Sequence, residues 1–188
     1  MADLEILQLL LHGNQLKRTA RTGWVQRGVA NAEDVAAHSY GVTFGVLVLA
    51  QVIPTKLDMQ KALVMAILHD LPEGVTTDIP TPAWHYLPPG IKTDVERGAM
   101  DSILGDVPFA PELMAIWEEL HQGQTPEALL VHDADKLDMY LQALMYEQQT
   151  GNHQLAEFWR NPHHFSFPEV QTIFDRLLSL RNEEYAKG

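Results

Sequence analysis

Apolar residues recur at intervals of three and four along almost the whole chain, and this spacing restricts the fold more than any other feature. Leu4, Leu7, Leu10 and Leu11 fall on one face of a helix, as do Val35, Val42, Val46, Leu49 and Val52. Strand-like alternation is nearly absent. Further helices are predicted over about 58–71, 93–104, 111–122, 126–150 and 168–186, starting near Asp58, Thr125 and Ser166 or Phe167 and ending near Gly105, Gly123 and Gly151. The expected fold is all-α, a bundle of about six or more helices. A length of 188 residues without repeat or linker composition predicts a single domain over 1–188. Five of the eleven prolines (72, 80, 82, 88 and 89) crowd together, predicting an ordered loop between helices and a candidate wall for an active site.

Composition excludes several classes of function. The net charge of −12 argues against binding polymeric nucleic acid or an anionic membrane, while leaving room for a local basic pocket. The chain has no cysteine, which removes thiol nucleophiles, Fe–S clusters and cysteine-type zinc sites, so a metal would need nitrogen and oxygen ligands. The leucine-rich start carries Glu5 and Gln8 and no basic flank, and the apolar run from Val42 to Ile53 is short of the roughly 20 residues that span a bilayer. A cytoplasmic protein is expected. The phosphate-loop, dinucleotide-binding, HExxH and nucleophile-elbow signatures are all missing.

What remains is imidazole and carboxylate. His69-Asp70 ends an apolar helical run, Ala62 to Leu68, just before Pro72, where burial is costly unless the two groups find partners. The dipeptide is weak by itself, since His132-Asp133 repeats it. His38 lies within a helix with Asp34 four residues earlier, a spacing at which a carboxylate can orient the second ring nitrogen. Asp135, in Asp133-Ala-Asp-Lys-Leu-Asp, shares a helix with Leu129, Leu130, Leu137, Leu141 and Leu144, so it needs a counter-charge that a divalent cation would supply. Lys17, Arg18, Arg21 and Arg27 gather in eleven positions of an acidic chain, and arginine suits bidentate phosphate recognition. Trp24, together with Trp84, His85 and Tyr86 in the proline loop, offers faces for a base or sugar, and Lys92 is a further candidate for phosphate.

Four segments in order, Glu33-x-Val-Ala-x-His-Ser, Leu68-His-Asp-Leu-Pro-Glu, Thr77-Asp-Ile-Pro-Thr-Pro and Ala134-Asp-Lys-Leu, resemble the HD-domain phosphohydrolases. The chain is most similar to their 5′-deoxynucleotidase and HD-domain-containing protein 2 groups, which also share the Arg21-Thr-Gly-Trp-Val-x-Arg segment. The resemblance covers about 15–150, the motif core, with C-terminal helices completing the domain. It implies one divalent metal ion held by His38, His69, Asp70 and Asp135, with Glu73 and Asp78 as catalytic groups flanking the attacking water and the phosphate. It further implies hydrolysis of nucleoside 5′-monophosphates, preferentially deoxy, and a homodimer. His132-Asp133 then becomes the decoy pair. Arg18, Arg21 and Arg27 compete for the phosphate-contacting place, with Arg21 favoured. The ion is open among Mn²⁺, Co²⁺, Fe²⁺, Zn²⁺ and Mg²⁺. Two alternatives stand beside this reading: a phosphodiesterase or nucleoside polyphosphate hydrolase on the same fold, and a metal-containing module that binds nucleotide without turnover.

Overall fold

The computed structural model describes residues 2–80, 83 and 85–185. Among them the secondary structure is helical, apart from an isolated antiparallel bridge between Ala20 and Asp34. The helices are α1 (Ala2–Gln15), α2 (Thr22–Val25), α3 (Val35–Leu49), α4 (Met59–Leu68), α5 (Glu73–Thr76), α6 (Ile91–Leu104), α7 (Ala110–Gln122), α8 (Pro126–Thr150) and α9 (Pro168–Tyr185). Short 3₁₀ turns occupy Leu16–Arg18 and His153–Trp159.

Local chemistry explains the boundaries. Asp34, Asp58 and Thr125 accept the backbone N–H three residues on, from Ala37, Lys61 and Ala128, and so start α3, α4 and α8. Gly105, Gly123 and Gly151 close α6, α7 and α8 with positive φ, where a side chain would be strained. The helix expected over 58–71 stops at Leu68, and residues 69–72 turn tightly: Leu71 N–H donates to Leu68 O and Glu73 N–H to Asp70 O. That turn leaves His69 and Asp70 at a helix end rather than within its side.

Helix α8 is the axis of the molecule and packs chiefly against α3 and α4. Its residues Leu130, Val131, Ala134, Leu137 and Leu144 are buried with Val42, Val46 and Leu49 of α3 and Met65 and Ala66 of α4. Leu141 instead points outward, and Val52 lies past the end of α3 in solvent. The leucines of α1 depart furthest from expectation: Leu4, Leu7, Leu10 and Leu11 are all more than half exposed, so their apolar stripe is not part of the core.

Helix α9 was legible, whereas the 3₁₀ segment before it was not. The fully buried Asp133 carboxylate accepts the backbone N–H groups of Ser166 and Phe167, both at 3.0 Å, and so fixes the entry to α9. Arg181 of α9 donates twice to the buried Glu147 of α8, at 2.7 and 2.9 Å. His132 has its Nε2 against Leu120 O at 3.0 Å. The second His-Asp dipeptide therefore has structural partners for both members.

Candidate metal centre

Two helices and one turn bring the predicted ligands together. His38 comes from the first turns of α3, His69 and Asp70 from the turn after α4, and Asp135 from the middle of α8. The Nε2 atoms of His38 and His69 stand 3.3 Å apart. Asp135 Oδ1 is 3.2 Å from His38 Nε2, while Asp70 Oδ2 is 3.2 Å from His69 Nε2 and 3.6 Å from His38 Nε2. Two imidazole nitrogens each about 2.1 Å from one ion at octahedral or tetrahedral angles are separated by about 3.0–3.4 Å, so the spacing suits a shared cation. Both other ring nitrogens are engaged: His38 Nδ1 faces Asp138 Oδ2 at 2.8 Å and His69 Nδ1 faces Ala66 O at 2.7 Å. Those bonds fix the tautomers that leave both Nε2 atoms as lone-pair donors.

The charges point the same way. Burial opposes a charge on His38, as does Arg21, yet Asp135 and Asp138 hold its pKa up at about 10. Burial raises Glu73, and the neighbouring Asp70 and Asp78 add to it, to about 9. Asp70 and Asp135 stay below the usual carboxylate range despite burial, because His69, Arg21 and His38 face Asp70 while Lys136 and His38 face Asp135. A cluster that concentrates this much negative charge takes up either protons or a cation, and a cation competes for the same positions. Glu73 Oε2 is buried with no hydrogen-bond partner, an atom that a ligand or ordered water would satisfy. The two-imidazole, two-carboxylate set fits a borderline divalent metal.

A cleft of about 230 Å³ opens onto this cluster, and Arg21, Trp24, Glu73, Asp78 and Lys92 line it beside Asp70 and Asp135. Arg21 Nη1 donates to Asp70 Oδ2 at 3.2 Å, and burial fails to offset the surrounding carboxylates, so its guanidinium stays charged. Asp78 is turned inward by Thr77, whose φ of 62° is a conformation that costs a β-branched residue about 1–3 kcal/mol. Asp78 Oδ2 then accepts Thr22 N–H at 2.7 Å, while its backbone oxygen accepts the Thr22 hydroxyl at 2.6 Å. Trp24 is a core residue with one edge on the cleft: it is 2% exposed and packs on Phe158 and Tyr146.

Several expectations need correction. Arg18 is not in the cleft; its guanidinium bonds to Asn14 and Gln15 and lines a separate depression beside α5. Asp34 caps α3, and the carboxylate behind His38 is Asp138 from α8. His85 and Tyr86 are exposed and do not line the cleft, while Trp84 and Pro82 fall outside the described residues. Arg27 is at the cleft mouth, paired with Glu157 and lying over the Phe158 ring. Sequence reasoning missed Asp138, Lys136, Met139 and Phe158. Asp138 had a signal, being three residues after Asp135 and so on the same face of one helix.

Of the two glycines of α3 that face α8, Gly41 is the one whose missing side chain makes room for Asp138. A Cβ at Gly45 would touch Ala134 at 3.5 Å, and one at Gly41 would overlap the Asp138 carboxylate. Glycine costs a helix interior about 1 kcal/mol relative to alanine. Gly41→Ala should therefore push Asp138 off His38 and weaken binding of Mn²⁺, read by calorimetric titration, by about 10–100-fold. Unchanged affinity would show that Asp138 does not orient the ligand.

Comparisons with known proteins agree with this architecture. The HD domain model matches residues 13–171. The 5′-deoxynucleotidase HDDC2 of Danio rerio is 34% identical over 187 residues, covering 97% of this chain and 91% of that protein. The Homo sapiens protein of the same name is 33% identical, covering 96% and 88%. Among solved structures, a conserved hypothetical protein of Pyrococcus furiosus is 37% identical with a TM-score of 0.78, covering 92% of this chain and 99% of that one. The chain belongs to the HD domain family.

Proposed function

We propose that this protein is a metal-dependent phosphohydrolase that cleaves nucleoside 5′-monophosphates, the deoxy forms preferred, to nucleoside and inorganic phosphate. The observation that carries the reading is the convergence of His38, His69, Asp70 and Asp135 beside a guanidinium, Arg21, and a buried unpartnered carboxyl oxygen of Glu73. Relatives at 30–35% identity carry the name 5′-deoxynucleotidase, which supports the substrate class. A divalent cation bound there would acidify a water and neutralise a phosphoryl oxygen, two requirements of phosphomonoester hydrolysis.

The chain's own residues do the rest. Arg21 offers planar N–H donors to the phosphate, exchanging its present partner Asp70 for phosphoryl oxygens. Lys92 and Lys136 add positive charge at the cleft rim. Glu73, brought down to its carboxylate form once a cation offsets the charge of Asp70, is able to take the proton of the attacking water at its unpartnered oxygen, and Asp78 holds the Thr22 backbone so that Arg21 keeps its place. Trp24, Met139 and Phe158 form an apolar end of the cleft for the nucleoside. No helix among the described residues is long and apolar enough to cross a membrane.

Phosphate release from a panel of ribo- and deoxynucleoside mono-, di- and triphosphates tests this reading. With Mn²⁺ or Co²⁺, release should be confined to 5′-monophosphates, deoxy above ribo, and should fall to the EDTA level in Asp70→Ala. Glu73→Ala should cost about 10²–10⁴-fold in kcat. Release that persists in EDTA, or that favours triphosphates, contradicts the assignment.

We also propose that the protein is a homodimer. Leu7 and Leu10 of α1, Tyr40, Phe44, Leu47 and Val48 of α3 and Ile67 of α4 are exposed, and a groove of about 670 Å³ lined by Leu10, Tyr40 and Ile67 runs between these helices. Large apolar side chains left exposed on neighbouring helices in this way are the mark of an interaction surface. Sedimentation equilibrium should return a dimer for the native chain and a monomer for Phe44→Asp. A native monomer would contradict it.

A further inference from the structure

The segment that carries Arg21 and Trp24 has little local structure of its own, only a 3₁₀ turn and the four-residue helix α2. Two carboxylate residues hold it from outside. Asp78 takes the Thr22 end, as described above. Glu33 takes both sides of it: Glu33 O accepts Arg21 N–H at 3.1 Å, and Glu33 Oε1 accepts the indole N–H of Trp24 at 2.9 Å. Glu33 is itself fixed. Its N–H donates to the Tyr146 hydroxyl at 2.8 Å, and its neighbours are clamped by the Ala20–Asp34 bridge and by Val35 N–H donating to Thr19 O at 2.8 Å.

This placement joins two parts of the site. One Glu33 carboxylate oxygen lies within 4.8 Å of ring and carboxylate atoms of His38 and Asp138, the pair behind the candidate metal ligands. Across the segment, the Trp24 ring is wedged between Tyr146, edge-on at 5.5 Å, and Phe158, tilted at 4.5 Å. An indole buried to this degree has one polar atom to satisfy, and Glu33 satisfies it. The hydrogen bond adds a directional restraint on the indole to the packing of its faces.

We propose that Glu33 is a positioning residue for the nucleoside part of the substrate, acting through the indole of Trp24 rather than by touching the phosphate. The proposal rests on the phosphohydrolase reading above, and it separates binding of the nucleoside from chemistry at phosphorus. Glu33→Gln keeps an acceptor for the indole N–H; Glu33→Ala does not. Trp24→Phe keeps a ring but removes the donor.

The test compares 2′-deoxyadenosine 5′-monophosphate with methyl phosphate, which keeps the reacting phosphate and lacks a nucleoside, in the Mn²⁺-loaded enzyme, with nucleotide Kd measured by calorimetry. Glu33→Ala should raise KM and Kd for the nucleotide about tenfold, the scale of one lost hydrogen bond, and leave kcat within about twofold. Its kcat/KM for methyl phosphate should be unchanged. Glu33→Gln should restore most of the loss, Trp24→Phe should reproduce it, and the double variant Glu33→Ala with Trp24→Phe should be no worse than either single one. Equal losses on both substrates, additive effects in the double variant, or a Gln variant as poor as the Ala variant would overturn the proposal. A native chain that binds the nucleotide without hydrolysing it overturns the phosphohydrolase reading instead, and the Kd comparison then decides on Glu33.

Discussion

The close approach of α3 to α8 is the contact on which the rest of the site depends. Gly41 leaves room for the Asp138 carboxylate, so that His38 meets Asp135 on one ring nitrogen and Asp138 on the other. A larger residue at position 41 would occupy the space of the Asp138 carboxylate. Two glycines inside one helix weaken it intrinsically, and here the burial of Val42, Val46 and Leu49 against α8 offsets that cost. The helix pair thus carries a metal-binding geometry and a hydrophobic core on one interface. Separating those roles by mutation is feasible because they use different positions of α3.

Around that pair, the polypeptide is arranged so that charge has a counterpart at each step. Arg21 faces Asp70, Lys136 faces Asp135, and His38 sits between Asp135 and Asp138. A buried ion pair contributes little stability in itself, because desolvation consumes most of the attraction. Its value at this site is geometric: each pair fixes where its side chains lie. The cleft wall combines the cationic side chains of Arg21, Lys92 and Lys136 with the apolar surfaces of Trp24 and Phe158. A phosphate ester attached to a flat ring system matches that combination.

How much of this was legible from the chain follows the range of each interaction. Helix starts at Asp58 and Thr125 and ends at Gly105, Gly123 and Gly151 rest on contacts within a few residues, and the sequence shows them directly. Asp34 was misread because the i−4 spacing satisfies a local rule, whereas the carboxylate behind His38 arrives from one hundred residues away. Arg18 and Arg21 are equivalent by composition. Only the turn at Leu16–Arg18 sends one toward Asn14 and the other toward Asp70. Phe158 belongs to a 3₁₀ segment whose short period gives no amphipathic signature, and its contacts with Trp24 and Arg27 are long-range. The leucines of α1 carry a clear helical stripe, yet periodicity cannot tell a stripe that faces the core from one that faces a second subunit.

The central claim is that His38, His69, Asp70 and Asp135 hold one divalent cation at the base of the nucleotide cleft. Anomalous diffraction from crystals grown with Mn²⁺ addresses it most directly. The account predicts a strong peak about 2.0–2.3 Å from the Nε2 atoms of both histidines and from a carboxylate oxygen of each aspartate. A strongest peak that lies elsewhere, or one that leaves His38 or Asp135 outside bonding distance, would contradict it.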